Sequence, residues 1–331
     1  MVKVAINGFG RIGRTLLRQL LLGRANDDIC LVHINDIAAA DICAYLLKYD
    51  SVYGPFPFEV THRDGALVIG DQRIPLTHVR DLAELDLSGV DVVLECTGLG
   101  GARPHAEAGL RAGAKAVLVS GPSKAADQTI VIGANDDQLT DAPIVSNASC
   151  TTNAIAPLLR LVDAAWGIER AHVSTVHCYT GSQPTVDMPR ASFERSRAAA
   201  VSMVPTSTSA EGQIAHVLPD LDGRLTVAAV RVPSISVSAI DAVIQLRDFP
   251  VGDLEAALRD LLKEAPWLGV TTDACVSTDM RARPESLVLA LPETRVLQDK
   301  QVRLFGWYDN EWGFSARMLD MVRRMHGLMS A

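Results

Sequence analysis

A glycine pattern near the start of the chain limits its fold more than any other feature. Gly8-Phe9-Gly10-Arg11-Ile12-Gly13 has the spacing G-x-G-x-x-G, with an extended apolar run (residues 2–6) before it and a helical pattern (13–22) after it. In that setting the first glycine permits a tight turn and the second lets backbone approach a pyrophosphate. The third lets helix and strand pack closely. The diphosphate would rest on the N–H groups of Arg11 and Ile12, at the end of the helix where the dipole favours negative charge. Asp36 ends the next apolar run. A carboxylate there accepts hydrogen bonds from both ribose hydroxyls and repels a 2′-phosphate, which favours NAD over NADP. A plain glycine turn with a capping aspartate is the alternative reading.

The first half of the chain continues this alternation. Residues 30–34, 90–95, 116–120, 129–132 and 143–145 read as strands, and 39–47 and 104–112 as helices. The pattern predicts an α/β fold opening with a Rossmann-type, doubly wound parallel sheet. The less regular segment 51–75 would add hairpins on its flank. Beyond residue 150 the strand-like runs lengthen (172–179, 225–232, 236–247, 286–291 and 302–309), and few helices separate them, 254–264 among them. That predicts a C-terminal α+β domain with a mostly antiparallel sheet. The expected division is 1–150 for the dinucleotide-binding domain and 151–315 for the catalytic domain. An amphipathic helix, 316–331, would pack back on the first. Segment 181–200 is long, polar and basic, and loops of that size usually carry function or an interface.

The formal net charge of −8 argues against nucleic acid as the main partner, because neutralising phosphates takes surplus Lys and Arg. Cys30, Cys43, Cys96, Cys150, Cys178 and Cys275 form no CxxC pair and no metal-ligand spacing, so no metal is expected. Scattered thiols in a chain this long read as reduced, hence a cytoplasmic location. No signal-peptide core precedes the first strand. The apolar stretch 16–22, broken by Arg18 and Gln19, is too short to span a bilayer, so no membrane association is expected.

One cysteine stands apart. Ser146-Asn147-Ala148-Ser149-Cys150-Thr151-Thr152-Asn153 places a thiol among hydroxyls and amides where a strand gives way to a helix. Backbone N–H groups and the positive helix end favour thiolate there, and thiolate is the nucleophile. A buried structural cysteine would need no such polar ring. A thiolate needs a base or cation, and His177 is the candidate. Strand alternation sets Val173, Thr175, His177 and Tyr179 on one face; a satisfied structural histidine is the alternative. Arg231 interrupts the apolar run 227–233, a costly position unless an anion meets it, either a ligand or a buried ion-pair partner. Arg190, Arg195 and Arg197 lie in the basic segment. Thr180 and the cluster Thr206-Ser207-Thr208-Ser209 could complete anion sites with these arginines, or be ordinary turn residues.

These motifs taken together, Ile6-Asn7-Gly8-Phe9-Gly10-Arg11-Ile12-Gly13-Arg14, the segment around Cys150, Arg231-Val232-Pro233 and Trp307-Tyr308-Asp309-Asn310-Glu311-Trp312-Gly313, make the chain similar to the glyceraldehyde-3-phosphate dehydrogenase family. The resemblance implies an NAD-dependent phosphorylating aldehyde dehydrogenase, in which Cys150 forms a thiohemiacetal and then a thioester while His177 handles protons. It implies that Asn310 binds the nicotinamide carboxamide and that Ser120 contacts the cofactor. It assigns Thr180 and Arg231 to the substrate phosphate. Ser149, Thr151, Arg195, Thr208 and Ser209 are assigned to inorganic phosphate. It also implies a homotetramer with segment 181–200 at its centre. Departures are visible: Ala154 where the family usually has a second cysteine, Ser209 for a glycine, and Phe314 for a tyrosine. Phe314 and the stretches 238–241, 293–296 and 317–320 resemble a sister enzyme, erythrose-4-phosphate dehydrogenase, which is the alternative substrate reading. Asp36 and Tyr179-Thr180 follow the glyceraldehyde 3-phosphate pattern.

Overall fold

The computed structural model describes residues 1–331 except 24–27, 191, 251 and 331; the side chain of residue 299 is likewise left aside. Residue 191 of the basic segment and residue 331 of the expected last helix therefore lie outside the described residues. The chain forms two compact units. One comprises Met1–Ile130, Asp136–Ala148 and Ser315–Ala331, the other Val131–Asn135 and Ser149–Phe314.

The first unit is built on nine strands: β1 (Val2–Asn7), β2 (Ile29–Asn35), β3 (Val60–Arg63), β4 (Ala66–Ile69), β5 (Gln72–Thr77), β6 (Val92–Glu95), β7 (Ala116–Val119), β8 (Gln128–Thr129) and β9 (Ile144–Ser146). Their order is β3-β4-β5-β2-β1-β6-β7-β9-β8. All neighbours from β5 to β8 run parallel, and β3-β4-β5 is an antiparallel flank. The near-continuous apolar runs of β6 and β7, buried throughout, are what a sheet covered on both faces requires. The strand expected over 129–132 stops earlier. The Asn135 side chain takes the Val131 N–H at 2.9 Å, ending the ladder.

The second unit holds β10 (Ile168–Cys178), β11 (Val204–Thr206), β12 (Leu225–Val232), β13 (Ser238–Leu246), β14 (Leu268–Thr271), β15 (Leu287–Ala290), β16 (Arg295–Leu297) and β17 (Gln301–Tyr308). The sheet order is β11-β12-β10-β13-β17-β15-β14, with β16 on β17. It is mostly antiparallel; among the described residues only β10·β12 and β14·β15 are parallel. The last helix, Trp312–Met329, starts earlier than its apolar periodicity suggests. Asp309 Oδ1 accepts from the N–H groups of Glu311 and Trp312 at 3.0 and 2.9 Å, a cap that draws the helix start back to Trp312. Among the described residues no helix is long and apolar enough to cross a membrane.

Candidate active site

In the first unit, the strand-turn-helix of β1 and helix Arg11–Leu22 carries the glycine pattern. Gly8 sits at φ +93°, and a Cβ on it would press within 2.6 Å of the backbone of Cys96 and Thr97. A Cβ on Gly13 would collide with the carbonyl oxygen of Gly8, so this glycine lets helix and turn close on each other. Gly10 differs: its Cβ would meet no protein atom within 4 Å. Protein packing does not demand glycine there, whereas a pyrophosphate approaching the backbone would. The amides of Arg11 and Ile12 lie in the first helical turn, where N–H groups point toward the helix end. Asp36 follows β2. Its Oδ2 accepts from Phe9 N at 2.6 Å and its Oδ1 from Ala38 N at 2.8 Å, so turn and carboxylate are fixed together. Ser120 follows β7, its N–H donating to Glu95 O at 2.9 Å. These residues fit a dinucleotide.

Sequence reasoning missed a buried network beneath this turn. Asn7 Nδ2 donates to Glu95 Oε2 at 2.6 Å, and Asn35 Nδ2 donates to Asn7 Oδ1 at 2.9 Å. It joins the carboxyl ends of β6, β1 and β2. Burial pushes the Glu95 carboxyl up, against the hydrogen bonds from Thr97 and Asn7. An unusual glutamate ending an apolar strand was the available signal.

The second unit holds the thiol. Ser149 caps helix Cys150–Trp166, its Oγ accepting from Thr152 N at 3.1 Å. Ala148, just before the cap, has φ +55°, a strained value for a residue with a Cβ. Cys150 is thus the first helical residue, and its own N–H has no intrahelical acceptor. Cys150 Sγ lies 3.6 Å from His177 Nε2. His177 is 4% exposed, on the face of β10 that also buries Val173 and Thr175. Parallel pairing places Arg231 of β12 directly beside it.

The imidazole's other nitrogen is fixed. His177 Nδ1 lies 2.7 Å from the carbonyl oxygen of Cys178 and 3.1 Å from Arg231 Nη1; the shorter contact, to an oxygen that can only accept, favours the proton on Nδ1. The Nε2 lone pair then faces the sulfur. Arg231 Nη1 donates to the same carbonyl at 3.0 Å and to Thr180 Oγ1 at 3.4 Å. Burial and then the Arg231 charge lower the His177 pKa to about 4. Burial also pushes the Cys150 thiol up, with Arg231 and the helix-end donors offsetting only part. Burial therefore opposes the thiolate that the helix end and the Arg231 charge favour.

Tyr308, inside the 307–313 motif, bridges two buried threonine hydroxyls. Its Oη sits 2.8 Å from Thr175 Oγ1 and 3.1 Å from Thr151 Oγ1, and its ring meets His177 edge-on at 6.0 Å. The Thr151 hydroxyl is therefore turned into the protein. Asn310, which follows β17, accepts from the Cys178 thiol at 3.1 Å through Oδ1. Arg195 donates to Thr206 Oγ1 at 2.5 Å and to the Ser207 carbonyl at 2.8 Å, which pins it to the loop carrying Thr208 and Ser209. Gln213, also missed, accepts from Ser149 N at 3.0 Å and donates to Ser209 Oγ at 3.1 Å, linking that loop to the thiol's helix.

Comparison with known proteins decides the family. Residues 2–103 match the glyceraldehyde 3-phosphate dehydrogenase NAD binding domain and residues 149–310 match its C-terminal domain. The chain belongs to the glyceraldehyde-3-phosphate dehydrogenase family. It is 45% identical to the glyceraldehyde-3-phosphate dehydrogenase of Cereibacter sphaeroides, with 99% of each chain covered. Identity to the enzyme of Xanthobacter flavus is 45%, with 98% of each covered, and to that of Pseudomonas aeruginosa 44%, with 96% of each covered. It is accordingly an NAD-dependent dehydrogenase, with an α/β fold of a Rossmann-type sheet followed by a mostly antiparallel one.

Proposed function

We propose that this chain oxidises D-glyceraldehyde 3-phosphate to 1,3-bisphosphoglycerate, through covalent intermediates on Cys150. The observation that supports the reading is the Cys150–His177 pair, with His177 Nδ1 set against the Cys178 carbonyl. The Cys150 sulfur attacks the aldehyde carbon while its proton passes to His177 Nε2 and on to the new alkoxide, giving a thiohemiacetal. The Cys150 N–H and the imidazole stabilise negative charge on that oxygen. His177 then takes the hydroxyl proton as the carbon loses hydride. NAD, when bound, supplies the hydride acceptor. Gly8, Gly10, Arg11, Ile12, Gly13, Asp36 and Ser120 would hold its adenosine and diphosphate portion, and Asn310 its carboxamide. Inorganic phosphate attacks the resulting thioester, releasing the acyl phosphate and restoring the thiol.

Arg231 beside Thr180 supports a site for the substrate phosphate. Arg195, Thr208 and Ser209, with Ser149 at the cap of the thiol's helix, are the proposed receivers of inorganic phosphate; Thr151, also expected there, has its hydroxyl on Tyr308. All six cysteines are free, which supports a cytoplasmic setting. Phe193, Val201 and Met203 are 96%, 80% and 74% exposed in and just after the basic segment, apolar surface that fits burial between copies in a homotetramer.

Turnover on glyceraldehyde 3-phosphate and on erythrose 4-phosphate, each with and without inorganic phosphate, tests the reading. A higher kcat/KM on the three-carbon sugar that depends on phosphate is expected. Preference for the four-carbon sugar with no response to phosphate would overturn it.

A further inference from the structure

Gln213 is outside every motif discussed above, yet its amide can sit only one way. Its Oε1 lies 3.0 Å from the backbone N–H of Ser149 and 2.7 Å from Thr152 Oγ1. A backbone amide can only donate, so the group facing it is the oxygen. Because that oxygen cannot donate, the Thr152 hydroxyl proton must point at Gln213. Thr152 Oγ1 also lies 2.7 Å from Ser149 Oγ. With the Thr152 proton committed, Ser149 is the donor in that pair. Ser149 Oγ accepts from Thr152 N as well, at 3.1 Å. The Ser149 hydroxyl is therefore closed on both sides, and its proton is turned inward.

The other end of Gln213 does the reverse. Its Nε2 donates to Ser209 Oγ at 3.1 Å. That occupies an acceptor site on Ser209 and leaves its own proton to be given elsewhere. Ser209 is exposed, beside Thr208, whose Oγ1 already accepts from Ala210 N at 3.1 Å. A hydroxyl that accepts from an amide is a better donor to an anion, because the bonds in such a chain polarise one another. One side chain thus withdraws the Ser149 proton and presents the Ser209 proton.

Resting on the phosphate site proposed above, we infer that Ser209, not Ser149, is the main serine donor to the attacking phosphate, and that Gln213 is the positioning residue that makes the exchange. Glycine at 209 would offer no hydroxyl, so the device depends on this chain's pairing of Ser209 with Gln213.

The test is the KM for inorganic phosphate in steady state, measured beside the NADH burst of the acylation step, in Ser209→Gly, Ser149→Ala, Gln213→Ala and the double variants. Ser209→Gly is expected to raise the phosphate KM about tenfold, the loss of one charge-assisted hydrogen bond, and to leave the burst rate within about twofold. Ser149→Ala alone should raise it no more than about threefold. With Gln213→Ala the Ser149 proton is released, so adding Ser149→Ala should then cost about tenfold. A merely structural Gln213 would lower stability and burst amplitude without changing which serine matters, and that outcome overturns the proposal. So does a larger effect of Ser149→Ala than of Ser209→Gly in the parent enzyme, a comparison that needs no Gln213 variant to fold. A parent enzyme whose turnover ignores phosphate would instead remove the underlying reading of the site.

Discussion

His177 Nδ1 sits 2.7 Å from the carbonyl oxygen of its neighbour Cys178, closer than the 3.1 Å to Arg231 Nη1, and the shorter contact favours a proton on that nitrogen. With Nδ1 protonated, Nε2 offers a lone pair to the Cys150 sulfur 3.6 Å away. The same carbonyl is held by Arg231 at 3.0 Å, so the group that orients the base is itself anchored by the cation at the proposed substrate-phosphate site. Positioning of the base and recognition of the anion share one oxygen atom.

His177→Asn should therefore lower the rate of NADH formation about 10²–10⁴-fold, the usual worth of a positioned acid–base group. NAD affinity should change little. Alkylation of Cys150 by iodoacetate, followed by peptide mass spectrometry, should slow in the same variant, because the thiol there loses its proton acceptor. Equal labelling rates in parent and variant would detach the histidine from the sulfur.

The lowered His177 pKa has a stability consequence of definite sign. The folded protein holds the ring neutral down to about pH 4, whereas the unfolded chain protonates it near the ordinary value of 6.5. Between those values the unfolded state binds more protons. Stability from this group is then complete above pH 6.5 and is lost as pH falls towards 4, up to about 3 kcal/mol. Urea unfolding at pH 7.5, 6.5, 5.5 and 4.5 should show a steeper decline for the parent than for His177→Asn, which has no proton to bind.

Local pattern made much of this legible. Alternation along β10 placed Val173, Thr175 and His177 on the buried face, and the glycine spacing gave the turn after β1, because both depend on residues close in sequence. What escaped depends on distant pairs. Gln213 meets Ser149 across 64 positions, and Tyr308 meets Thr151 across 157. No periodicity encodes such contacts. Cys150 was legible in part for another reason: the sequence shows the helix end that favours thiolate but not the burial that opposes it.

Asp36 is held by the N–H groups of Phe9 and Ala38, so replacing it disturbs the glycine turn as well as the proposed ribose contact. Asp36→Ala should weaken NAD binding about tenfold or more, and should narrow the gap between NAD and NADP by removing the repulsion of a 2′-phosphate. Titration of both cofactors by quenching of protein fluorescence checks this. Loss of NAD affinity with the NADP ratio unchanged would assign Asp36 to the turn alone.

Arg231→Ala should act twice. The KM for the phosphorylated aldehyde should rise about 10- to 100-fold, the loss of a charged anion contact. The His177 pKa should also rise, since the Arg231 charge helps to lower it. Initial rates against pH, with NMR titration of the ring, would show both; a rise in KM with no movement of the ring pKa would separate the two roles.

Tyr308→Phe removes one oxygen from between two buried threonines. The hydroxyl bridges Thr175 Oγ1 at 2.8 Å and Thr151 Oγ1 at 3.1 Å, and Tyr308 itself is 2% exposed. Taking it away leaves two buried hydroxyls each short of a partner, at a cost of about 1–3 kcal/mol. The aromatic ring remains, so its edge contact with His177 persists and the chemical step should fall only a few-fold. Adding Thr175→Val removes one of the stranded hydroxyls. The double variant should consequently be less destabilised than the sum of the single ones, by about 1 kcal/mol in a urea-unfolding cycle. Strict additivity would mean that the three hydroxyls do not act as one network, and that the tyrosine beside His177 contributes through its ring alone.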